Sequence, residues 1–102
     1  MAERVFIESG SCKVWISIDE GRLMLSGQDL GGFMGTSEYE YFITVEPEYF
    51  DNIRMALGAA EGTDIVDVMC ANAEAIFAQG ETTWLESIGV PFEMSNWHHF
   101  DD

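Results

Sequence analysis

Positive charge is almost missing from this chain. Four Lys and Arg residues stand against 19 Asp and Glu, and the formal net charge is −15 with His neutral. That shortage excludes several functions. A phosphoryl-transfer enzyme needs cations to hold phosphate charge, and only Arg4, Lys13, Arg22 and Arg54 are on offer. Nucleic-acid-binding proteins interleave aromatics with basic residues. Here the aromatics are interleaved with acids, as in the stretch EYEYFITV, Glu38–Val45. Nucleic acid and anionic membrane carry the same sign as the chain and repel it. Neither is an expected direct partner.

Cysteine is scarce as well. Cys12 and Cys70 are far apart, with no CxxC and no metal-ligand spacing. Free thiols in a reducing compartment are the expectation. The 2 histidines, His98 and His99, are adjacent. In an extended chain they point to opposite sides and chelate one metal poorly. A hydrolase wants Ser or Cys near a His and an acid, and no Ser lies in a nucleophile-elbow context. No calcium loop of the D-x-[DN]-x-[DN]-G type and no GxxxxGK[ST] phosphate loop is present. The glycines of Gly27–Ser37 therefore predict a surface loop. Glu38 and Glu40 lie one pleat apart, about 7 Å, but no third group nearby completes an acid/base site. The sequence predicts a protein that is not an enzyme and uses no cofactor or metal. No apolar run approaches the ~20 residues of a membrane span. The stretch MAERVFIESG lacks the apolar centre and cleavage site of a secretory leader, so cytoplasmic residence is the expectation.

What is present is the material of a globule. The chain is 47% hydrophobic and 13% aromatic, too apolar for a disordered acidic tail. Its 102 residues suffice for a single domain, 1–102, with one core. The strongest pattern is Thr63–Gln79, TDIVDVMCANAEAIFAQ. At about 100° per residue, Ile65, Val66, Met69, Cys70, Ala73, Ile76 and Phe77 share a broad face. Asp64, Asp67 and Glu74 fall opposite. Such periodicity predicts one amphipathic helix, with Thr63 as N-cap and Gly80 as its stop.

Strands are predicted earlier in the chain. Arg4–Ser9 is a short β-rich run. Cys12–Ile18 alternates Val14, Ile16 and Ile18 with Lys13, Trp15 and Ser17. The turn Asp19-Glu20-Gly21-Arg22 leads to a partner strand at Leu23–Ser26. Glu38–Val45 puts Tyr39, Tyr41, Ile43 and Val45 on one face, and Glu38, Glu40, Phe42 and Thr44 on the other. Pro47–Leu57 reads as a helix, with Pro47 in its first turn and Glu48, Asp51, Asn52 and Met55 outward. Ala59–Gly62 links it to the Thr63 helix. Glu81–Ile88 is a third helix, capped by Thr82 or Thr83. Val90–Trp97 is a closing strand, placed at a sheet edge by Pro91. The order β-β-β-β-α-α-α-β predicts an α+β fold: a mainly antiparallel sheet of about five strands, with two to three helices on one face.

Charge then suggests a role. Residues 55–102 contain nine acids and no Lys or Arg. An acidic rigid domain is attracted quickly to basic proteins. Glu46, Glu48, Asp51 and Met55 on the first helix, with Asp64, Asp67 and Glu74 on the second, form the candidate partner-binding patch. Glu38 and Glu40 extend it. Aromatic and Met side chains among the acids supply anchoring energy, and Tyr41 and Trp15 are alternative anchors.

The closing stretch TTWLESIGVPFEMSNW combines a Trp-Leu helix, a Gly-hydrophobic-Pro-Phe turn and a strand. It is similar to C-terminal segments of small acidic immunity proteins of bacterial toxin systems, including contact-dependent inhibition. The resemblance spans sixteen residues, besides size, acidity and element order. It implies a cytoplasmic protein that neutralises one basic toxin domain, often a nuclease, by one-to-one binding. It assigns no binding residue. Two other readings stay open: a DNA mimic that blocks a DNA-binding protein, and a structural or homodimer-forming domain whose acidity serves solubility.

Overall fold

Alternation of apolar and polar residues builds the sheet. The computed structural model describes residues 3–10, 12–29 and 36–100, with side chains over 3–10, 12–28 and 40–95. Five strands run as β1 (Arg4–Ser9), β2 (Cys12–Asp19), β3 (Arg22–Asp29), β4 (Thr36–Val45) and β5 (Glu93–Phe100). They lie side by side in that order, every neighbouring pair antiparallel. Directly opposed residues on paired strands point to the same side. Val14, Ile16, Leu23, Leu25, Tyr41, Ile43 and Val45 therefore share one face, and all are buried.

Local chemistry sets the joints. At the β2–β3 hairpin Glu20 and Gly21 have φ of 52° and 79°. Positive φ at both central residues matches the right-handed twist of the flanking strands. In β1 the register shifts between Val5 and Ile7. Phe6 points into the core, 5% exposed, and the bulge brings Ile7 to the same side, opposite Val14.

The expected loop at Gly27–Ser37 is strand at both ends, because β3 runs to Asp29 and β4 begins at Thr36. Gly27 lies inside β3, opposite Tyr41. A Cβ on Gly27 would stand 2.1 Å from Tyr41 Cζ. The ring of Tyr41 occupies the space a side chain would fill, so this glycine serves packing rather than a turn. Residues 30–35 lie outside the described residues. The closing strand also starts later than expected, at Glu93, after Pro91 has passed. Its place at the sheet edge is as expected.

Among the described residues four helices, one more than expected, cover the buried face. A 3₁₀ turn, Pro47–Tyr49, leads into α1 (Phe50–Ala56). The predicted long helix is two: α2 (Ile65–Ala71) and α3 (Ala73–Gln79), followed by α4 (Glu81–Ser87). Asn72 makes the break, with φ −117° and ψ 16°. Its Nδ2 donates to the Val68 carbonyl at 2.9 Å, competing with the helical ladder as Asn side chains do. Capping differs too. Asp64, not Thr63, is the N-cap of α2, its Oδ1 accepting from the Asp67 N–H at 3.0 Å. The Thr63 hydroxyl donates instead to the Ala60 carbonyl at 2.7 Å. At α4 the cap position is Gly80, not Thr82 or Thr83.

The path is a loop over the sheet. Helices α2 and α3 lie over β1 and β2. Helix α4 returns toward β4, where the Tyr41 hydroxyl donates to the buried Glu81 carboxylate. One core joins Phe6 and the inward strand residues to Ile53, Ile65, Met69, Ile76, Trp84 and Leu85. The opposite face of the sheet carries no described helix.

Candidate functional site

All four basic side chains are matched by acids of the same chain. Arg4 bonds Asp67. Lys13 Nζ lies 3.6 Å from Glu8. Arg22 reaches Glu20 at 3.3 Å and Glu46 at 3.7 Å. Arg54 holds Asp51 at 2.7 Å. These are largely exposed pairs, each worth little to stability. Their consequence is electrostatic: no base is left over to offset the remaining carboxylates.

The candidate residues separate into three places. The first is the flank made by α1 and the start of α2. Arg54 organises it. Its Nε donates to the Thr63 carbonyl at 2.6 Å while its Nη1 holds Asp51. That ties α1 to the residue before the α2 cap. Asp51, Arg54, Met55, Ala59 and Glu61 line a shallow groove of about 200 Å³. It is smaller than the 300–1,000 Å³ or so of a small-molecule site. Met55 is 79% exposed, an apolar side chain set among carboxylates. Asp64 and Asp67 follow on the exposed side of α2, and Glu48 is exposed on the turn before α1. Glu61 was assigned only to a linker by the sequence. A short connection between two acidic helices was the available signal, because it had to lie beside both.

The second place is the groove between β1 and the α2–α3 break. Glu74 and Glu8 stand on its lips, with Phe6, Ile7, Cys70 and Ala73 among its lining. Glu74 therefore sits beside β1 rather than in the α1–α2 groove. The third is the side of the sheet over which no described element lies. Glu40 is opposite Gln28, which is opposite Lys13, so Glu40 belongs to the face turned away from the helices. It does not extend the helical acids. The side chain of Glu38 lies outside the described ones. Glu46 is drawn to Arg22 at the hairpin end of the sheet. Of the two alternative anchors, Tyr41 is buried and Trp15 is half-buried on the face turned away from the described helices.

Cys12 and Cys70 form no disulfide and are half-buried. Burial pushes the Cys70 thiol up, and Asp67 and Asp64 add to this while Arg4 opposes it. It stays protonated, a poor nucleophile. The hydrogen bond to Asp67 raises the Arg4 guanidinium further, so it stays charged. Among the described residues no three His, Cys, Asp or Glu side chains are grouped to hold a metal. No described helix is long and apolar enough to cross a membrane. No family model, curated protein or solved structure matches the chain.

Proposed function

We propose that the chain is an acidic binding protein, without catalytic activity, that neutralises a basic protein by occluding its cationic surface. A toxin nuclease domain met in the cytoplasm is the partner we favour. The observation that carries this reading is the internal matching of every base. Apart from the buried Glu81 the described surplus carboxylate is largely outward, and on the α1–α2 flank Glu61 lines the same groove as the exposed Met55. Long-range attraction brings a Lys- and Arg-rich surface to such a flank and raises its association rate about 10–10³-fold. An apolar contact then slows its release. The shallow groove suits a protein surface better than a small molecule.

The test is co-purification with, and protection against, a basic toxin domain, sought first among the products of neighbouring genes. The informative variant combines Glu48→Lys, Glu61→Lys and Asp64→Asn. Asn keeps the α2 cap while removing its charge, and none of the three acids is held by a base. Protection should fall at least about tenfold with the melting temperature unchanged, and the wild-type complex should weaken several-fold as salt rises. Undiminished protection by the variant excludes the flank. A complex indifferent to salt counts against charge as its basis.

A further inference from the structure

The side of the sheet opposite the helices has an unusual composition. Antiparallel sheets with one solvated face normally put polar residues there. Cross-strand pairing defines the middle row of this face as Val5, Trp15, Ser26, Phe42 and Ser95. Met24 lies in the next row, opposite Ser17 and Thr44. Val5 is 50% exposed, and Trp15, Met24 and Phe42 are half-buried with no described element over them. Aromatic and Met side chains are the residues enriched where proteins meet, and a contiguous exposed apolar patch marks an interaction site.

Charge decides what fits. The ionisable groups described on the strands of this face are Glu8, Lys13, Asp19, Arg22, Glu40 and Glu93, with Arg22 held by Glu20 and Glu46. Lys13 is already engaged: its Nζ is 3.6 Å from Glu8 and 5.3 Å from the centroid of the Trp15 ring. The face is therefore apolar at its centre and negative in sum. A second copy would present the same excess to itself and bring two bodies of charge −15 together. A surface with apolar side chains rimmed by Lys or Arg meets complementary charge. Lys13 also demonstrates that the Trp15 ring accepts a cation.

We infer that the open sheet face docks the apolar part of a basic protein partner, with Trp15 and Phe42 as anchors. This rests on the function proposed above and adds the surface on which binding energy is gained. The α1–α2 flank attracts, and the sheet face holds.

The experiment uses the full ¹⁵N-labelled chain at low ionic strength. Two probes of equal length are titrated in, an alternating Lys-Leu peptide and an alternating Lys-Ser peptide. The Lys-Leu peptide should shift the Trp15 indole N–H and the amides of Val5, Ser26 and Phe42. It should bind at least about tenfold tighter than Lys-Ser. Phe42→Ser should bring its affinity down toward that of Lys-Ser. Ser26→Lys, which sets a cation between Trp15 and Phe42 without touching the helix-side core, should do the same even if Phe42→Ser fails to fold. If both peptides move only amides of the α1–α2 segment and Ser26→Lys changes nothing, the sheet face is no docking surface, while the charge reading stands. If neither peptide binds, the charge reading falls and this inference with it. A dimer in sedimentation that Ser26→Lys dissolves would assign the face to a second copy and overturn the proposal.

Discussion

Gly27 lies at the meeting point of two strands and a helix. The Tyr41 ring lies on it, and the Tyr41 hydroxyl donates to Glu81, a carboxylate only 7% exposed at the start of α4. A buried carboxylate without a donor costs stability, so the ring must reach across β3, and only a residue without a side chain lets it pass. Gly27→Ala should destabilise the protein by about 1–3 kcal/mol, the usual range for overpacking, measured by urea denaturation. Glycine in a strand interior is ordinarily a weak point that alanine relieves. A neutral or stabilising result would therefore contradict the contact. Sequence alone pointed the other way, because four glycines between Gly27 and Gly35 read as loop chemistry. Nothing in local spacing could signal that one of them faces an aromatic ring on a strand fourteen positions later.

Among the elements, the strands were the most legible. Val14-Ile16 and Tyr41-Ile43-Val45 alternate cleanly, and the period survives in the fold because one face is buried. The helices were legible as amphipathic stretches but not as separate bodies. The apolar period runs unbroken through Ala73 and Ile76, whereas the break depends on one side-chain bond from Asn72. Val68 illustrates the cost: it is 5% exposed yet was placed on no buried face. The caps were a near miss of the same kind. Thr63 and Asp64 are both good N-cap residues, and the choice falls to Asp64 because the Thr63 hydroxyl closes a turn onto Ala60. Asp64→Ala should cost about 1 kcal/mol and speed hydrogen exchange at the Asp67 amide. Unchanged exchange at that amide would contradict the assigned cap.

At the scale of the whole molecule, charge sign and fold class could be read directly from composition and element order. Placement could not. Which acids gather depends on Arg54 tying α1 to Thr63, the residue before the α2 cap, a contact between residues nine apart that no pattern predicts. Pairing also removed Glu40 from the helical patch, by fixing which way its side of β4 turns. The result is a body with its helices and most of its candidate acids on one side, and an aromatic sheet face on the other. Charge-steered binding requires the surplus carboxylate to be gathered on the α1–α2 flank rather than spread evenly. Near-surface potential, read residue by residue from the relaxation caused by cationic and neutral nitroxide cosolutes, measures this without a partner. The most negative values should cluster at the amides of Glu48, Met55, Glu61 and Asp64. A potential equally negative around the entire surface would contradict the account.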